Sequence, residues 1–258
     1  LEDPEEILFE YNFNMQLTPL SNIPKTVDDF KIYCFRNNIS AAIFVNVSMD
    51  DKYICGFSEV MPVIVIGTKF DSGNLVTIRS DNYSGSYDAV RYLISKGHER
   101  IVFCVPDLKK QDYSDRYRAY RDLLEKNGLS EINKDNVIEY SKCSINQIST
   151  ILERKLIGST DKPTAFFVNS DQQIMQLMSI LNNIGLYVPE DISVVGFDDN
   201  DFSEFLRPPI TTVRQPFFRM GREAGLSVIK LLNSGSSEFN HDLTLDTELI
   251  VRKSVASV

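Results

Sequence analysis

The sequence predicts an α/β fold of two doubly wound parallel-sheet lobes with a ligand cleft between them. Three observations carry this. Short apolar runs alternate with amphipathic helical patterns along most of the chain. Each run and its helix recur at a spacing suited to βαβ units, whose parallel strands need a long crossover. The 258 residues suffice for two lobes, and no internal repeat or low-complexity segment interrupts them.

The run over 11–17 reads as a strand. A helix over 26–37 places Val27, Phe30, Tyr33 and Cys34 at helical spacing behind a Thr26 cap. Strands over 41–47, 63–67 and 75–80 follow. The helix over 84–96 sets Tyr87, Val90, Tyr92, Leu93 and Ile94 mostly on one face and stops at Gly97. Beyond it, strands are expected over 101–105, 136–140, 165–169 and 192–197. Helices are expected over 115–127, before Gly128, and over 171–183, near Gly185. Extended pieces near Thr211 and Leu249 flank a last long helix, 217–233, which Gly235 follows.

The break between lobes is expected after Gly97 and His98. The N-terminal lobe is then 1–98 plus 216–236, and the C-terminal lobe 99–215 plus 237–258. The helix after Pro216 returns the chain to the first lobe, and the strand near 247–252 crosses back. Repeated crossings imply a hinge, and the cleft beside a hinge suits a small ligand.

Composition narrows the function. Charged residues at 24% and hydrophobic ones at 43% are ordinary for a globular chain. A formal net charge of −9 argues against sequence-independent binding of nucleic acid, which needs a basic surface. Cys34, Cys55, Cys104 and Cys143 are widely spaced and read as free thiols. His98 and His241 stand far from any cysteine, so neither a metal nor another cofactor is expected. Neither a signal peptide nor an apolar run of about 18 residues occurs, and the expectation is a cytoplasmic chain without a membrane partner. The chain opens at Leu1 without a methionine, which is read as a preceding piece removed or omitted. No G-x-S-x-G, Walker A, H-E-x-x-H or G-x-G-x-x-G is found, and His98 falls in a turn without a nucleophile nearby, so no catalytic residue is named.

The most informative stretch runs from Val188 to Pro216. Its apolar strand 192–197 leads straight into Asp198 and Asp199, and ligands of α/β proteins gather at carboxyl ends of strands. Pro208 and Pro209 break the chain before the extended segment 211–214. Further blocks are RSDNYSGSYDAVRYLISKGHERIVFCV (79–105), DYSDRYRAYRDLL (112–124) and KPTAFFVNSDQQIMQLMSILNNIGLYVPEDISVVGFDD (162–199), then TTVRQPFFRMGREAGLSVIKLL and TELIVRKS. Together these blocks resemble the effector-binding core of LacI/GalR-type transcription regulators, whose fold is that of periplasmic sugar-binding proteins. The likeness covers nearly everything from about Ala41 onward.

The resemblance implies ligand roles for particular residues. Arg116 stands at the arginine of an Arg-x-x-Gly-aromatic element in which Ala119 replaces the usual glycine. Its fork can hold vicinal hydroxyls or an anion. Asp198 matches the family's acidic position and can accept paired hydrogen bonds. Asp199, Asp201 and Glu204 fit turn chemistry better. Asn169, Ser170 and Asp171 match a polar strand–helix junction, where Asp171 is either a contact or an N-cap. Phe167 is either an apolar wall for a sugar or base, or a core residue. Gln215 matches a cleft-lining position. Ser84 is weighed between helix capping and a cleft border.

The resemblance also implies an effector-sensing, dimeric regulator whose small ligand, a sugar or sugar derivative, controls DNA binding allosterically. DNA contact is expected only through a headpiece not present in this chain. In the match the first strand of the N-terminal lobe is absent, residues 1–10 stand as the tail of the helix after it, and 11–17 as the second strand. A solute-binding protein serving a transporter is the alternative, since the fold is shared.

Overall fold

A computed structural model of the chain describes residues 8–71, 73–108, 110–158, 161–234 and 241–258. The chain divides into two units, Leu1–Ser80 with Pro216–Leu245 and Asp81–Gln215 with Asp246–Val258.

The first unit is built on a four-stranded parallel sheet in the order β1-β2-β3-β9, namely Ala42–Val45, Val63–Ile66, Val76–Ser80 and His241–Leu245. Helix α1, Val27–Arg36, starts at Thr26, whose hydroxyl accepts the Asp29 N–H, and carries Arg36 in its last turn. Its Phe30 stacks on Phe57 of the short helix α2, Tyr53–Phe57, with ring centres 3.7 Å apart. Both pack with Val63, Val65 and Leu75 on one side of the sheet. On the other side Ile64, Val76 and Ile78 meet Met220, Ala224 and Val228 of the long helix Phe217–Ser234.

The second unit carries a six-stranded sheet in the order β10-β8-β7-β6-β4-β5. The strands are β4 (Ile101–Val105), β5 (Val137–Glu139), β6 (Ala165–Val168), β7 (Ser193–Asp198), β8 (Thr211–Arg214) and β10 (Glu248–Ile250). All are parallel except β10, which runs antiparallel to β8 at the edge. Every residue of β4 and β6 is buried, which is why both read as unbroken apolar runs. Their alternation still sorts the two faces. Ile101, Phe103, Ala165, Phe167 and Val195 meet Val90, Leu93, Tyr120 and Leu124 of α3 (Asn82–Ser95) and α4 (Gln111–Lys126). Val102, Cys104, Phe166, Val168 and Val194 meet Leu152, Ile174 and Leu177 of α5 (Ile145–Leu156) and α6 (Asp171–Asn183). The long helix of the first unit is α7.

Several expectations are corrected. The 11–17 run forms no strand: of its alternate apolar face only Phe13 packs against the core of the first unit, while Tyr11, Met15 and Leu17 stay exposed. Of the helix tail expected over 1–10, residues 8–10 are helical and 1–7 lie outside the described residues. The units divide at Ser80 rather than after His98, since Ala89, Val90 and Leu93 of α3 bury their apolar face in the core of the second unit. At the other end, β9 pairs with β3, so residues 241–245 belong to the first unit; Gly235 and 237–240 lie outside the described residues. Helix α4 starts at Gln111, not at 115, because no glycine or proline interrupts the chain back to the extended residue Lys110. No described helix is long and apolar enough to cross a membrane.

Candidate functional site

The carboxyl ends of β6 and β7 and the amino-terminal halves of α3, α4 and α6 bring most of the expected residues together. Arg116, in the second turn of α4, is 3% exposed. Its Nε donates to Asn82 Oδ1 at 2.8 Å, and its Nη1 donates to the Asn169 carbonyl just beyond β6. Its guanidinium lies over the Phe197 ring of β7, 3.6 Å from the ring centre, with the Tyr113 ring at 5.7 Å. Asn82 in turn donates to Asp112 Oδ1 at 3.1 Å. The guanidinium is therefore fixed from several directions, and burial lowers its pKa against the opposing charges of Asp198 and Asp112.

Asp198 ends β7 with φ at 118°, and Asp199 follows with φ at 57°. The two carboxylates separate. Asp198 Oδ2 accepts from Ser170 Oγ at 2.7 Å and its Oδ1 from Gln215 Nε2 at 2.6 Å. Asp199 instead meets Arg214 Nε and Arg252 Nη1, each at 2.7 Å, and is a structural ion-pair residue. Burial raises the Asp198 pKa, while Arg116 and the two side-chain donors pull it back. Burial thus opposes charge on both Arg116 and Asp198, and each charge favours the other.

Asn169 is wholly buried, and both polar atoms of its amide lack a hydrogen-bond partner among the described residues. A buried amide with donor and acceptor unspent has capacity for a ligand or water. Ser170 does two jobs: its Oγ accepts the Gln172 N–H as the cap of α6 and donates to Asp198.

Asp171 is fully buried and engaged. It accepts from Ser203 Oγ at 2.6 Å, Thr212 Oγ1 at 2.7 Å and the Asn200 N–H at 3.2 Å. Burial pushes its pKa up to about 6 despite these donors. Phe167 is wholly enclosed beside Phe103, ring centres 5.4 Å apart, and serves the core. Ser84 is exposed, its N–H goes to the Asp81 cap, and among the described residues it shares no hydrogen bond with Arg116 or Asp198.

Sequence reasoning passed over Asn82, Asp112, Tyr113 and Tyr140. Asp112 and Arg116 stand four apart on α4, but the helix expected from residue 115 left Asp112 outside it. Asn82 is the first residue of α3, where its place at a helix start accounts for it locally. Tyr140, which follows β5, is buried at its hydroxyl without a hydrogen-bond partner among the described residues and feels the charges of Arg116 and Asp198. Among the described residues no group of three His, Cys, Asp or Glu side chains could hold a metal ion.

Residues 90–255 match the family model of the periplasmic binding protein-like domain. This chain belongs to that family. Among curated members, the transcriptional repressor PurR of Pasteurella multocida is 30% identical over 235 residues, 91% of this chain and 66% of that protein. The chain thus spans just under two thirds of that relative's length. Among solved structures, a LacI-family transcriptional regulator from Enterococcus faecium with bound ribose superposes with a TM-score of 0.80 at 24% identity, covering 98% of this chain and 91% of that one. The regulator CelR in complex with cellobiose gives 0.81 at 24% identity, covering 97% and 76%. Likeness at that identity establishes the α/β fold of this periplasmic binding protein-like chain, and the resemblance to LacI-type effector cores holds over nearly its whole length.

Proposed function

We propose that this chain is the effector-binding core of a LacI-type transcription regulator, and that it binds a small polar ligand without turning it over. The observation that carries this is the convergence of a buried guanidinium, a half-buried carboxylate and an amide with unspent donor and acceptor at the carboxyl edge of one sheet. Such a set suits a polyhydroxy ligand: hydroxyls donate to Asp198 and accept from Arg116, and Asn169 can do either. The ribose- and cellobiose-bound relatives support a sugar or sugar derivative as the class. Ligand bound more tightly to one conformational state than to another shifts the balance between them, and DNA affinity follows through a separate headpiece in a homodimer. The net charge of −9 fits a core that leaves DNA to that headpiece.

Calorimetric titration with ribose, cellobiose and a panel of sugars and nucleobases tests the reading. At least one sugar binds the parent chain, and Arg116→Ala and Asp198→Ala each weaken it tenfold or more. Unchanged affinity in both variants overturns the site assignment.

A further inference from the structure

Asp171 is bonded to the protein itself. Its carboxylate joins three segments: α6, on which it stands, the turn after β7 through Asn200 and Ser203, and β8 through Thr212. Asp198 and Asp199, both with positive φ, open that turn. Such backbone persists only where the surroundings hold it. Gly196, two residues before Asp198, completes the arrangement: a Cβ there would fall 2.0 Å from Asp171 Oδ1. One carboxylate thus bonds the chain after Asp198 and packs closely against it before Asp198.

We propose that Asp171 is a positioning residue for Asp198, holding the turn over 198–203 closed so that the Asp198 carboxylate stays on Ser170 and Gln215. This rests on the reading of Asp198 as an effector group. It also makes closure proton-linked. The charged neighbour acting on Asp171 is Asp198, and the groups bonded to it, Ser203, Thr212 and the Asn200 amide, are uncharged. With its pKa at about 6 when closed and an ordinary carboxylate value when hydrated in an open turn, Asp171 takes up a proton more readily in the closed state. Closure therefore tightens as pH falls through about 6.

Hydrogen–deuterium exchange of the whole chain, without ligand and corrected for intrinsic rates, tests this between pH 5 and 7.5. Protection over 198–205 and at the Gln215 amide, which donates to the Asp198 carbonyl at 3.3 Å, is expected to rise as pH falls. Asp171→Ala exchanges there at least tenfold faster, with β4 and β6 unchanged. Asp171→Asn, which keeps shape and an acceptor, restores most of the protection at pH 7.5 but loses its pH dependence. Unchanged protection in Asp171→Ala, or a pH dependence persisting in Asp171→Asn, overturns the proposal. Should Asp171→Ala not fold, Thr212→Val removes one arm and is expected to speed exchange severalfold; no change there counts against the proposal equally. Failure of every sugar to bind leaves this result standing, because exchange reads the turn without ligand.

Discussion

The guanidinium of Arg116 lies 3.6 Å from the centre of the Phe197 ring while its Nε is held by Asn82. A planar cation spread over an aromatic face and fixed at its edges is a task that lysine cannot perform. Arg116→Lys keeps the charge but loses the stacking and leaves the Asn82 acceptor and the Asn169 carbonyl short of donors. We expect a loss of about 2 kcal/mol in urea unfolding, with sugar binding abolished. Asn82→Ala frees one edge of the fork, and a smaller loss of stability with weaker binding should follow.

Gly196 offers a packing test. Gly196→Ala places a methyl on Asp171 Oδ1 and within 2.6 Å of Ile174 Cδ1. Overpacking of this kind costs about 1–3 kcal/mol. The cost should shrink when Asp171→Ala is already present, and a double-mutant cycle by urea denaturation reads that coupling.

Two buried groups pull the pH profile in opposite directions. Asp171, raised to about 6 in the folded chain, holds its proton where the unfolded chain has lost it, so its contribution to stability falls as pH rises from about 4 to 6. The Asp171→Asn variant should lack that component, on the order of 2 kcal/mol between those limits. His98 works the other way. It is buried between Thr164 Oγ1 at 2.9 Å and the Ala256 carbonyl at 3.2 Å, and burial lowers its pKa. Its contribution is present above the ordinary histidine range and is lost as pH falls below it. Thermal melts of the parent, Asp171→Asn and His98→Gln chains from pH 4 to 8 separate the two.

The thiols should differ in reactivity. Cys104 is buried in the second unit, and burial pushes its pKa up to about 12. Cys34 is buried too and shifted the same way. Alkylation at pH 8 is expected to label the half-buried Cys55 and Cys143 first, with all four reacting in denaturant. Mass spectrometry of the labelled peptides checks this.

Much of the fold was legible because buried parallel strands betray themselves. The runs IVFCV and TAFFVN are apolar on both faces and became β4 and β6 with little change of boundary. The run over 11–17 alternates instead, and alternation reports a face that could be buried, not how much of it is: only Phe13 reaches the core. Helix α5 went unread although Ser144 and Gln147 form a capping box at its start. At the site, residue type and family pattern picked out Arg116 and Asp198. They could not separate Asp171, a tie between segments, from Ser170, a partner of Asp198, because both are small polar residues at one junction. Asn82 was hidden for a related reason: its helix-start position explains it locally, whereas its bond to Arg116 spans 34 residues.

The chain passes between its two units three times, after Ser80, Gln215 and Leu245. During synthesis the second unit therefore has most of its strands in place well before it receives β10. It also waits for Ser254, whose hydroxyl accepts the Thr211 N–H while its carbonyl accepts that of Val194. Until those residues leave the ribosome, the edge of β8 next to the Asp198 strand stands open. A nascent chain halted before residue 248 should be sensitive to protease at that edge, and a gene fragment for 81–215 alone is a poor way to isolate the site.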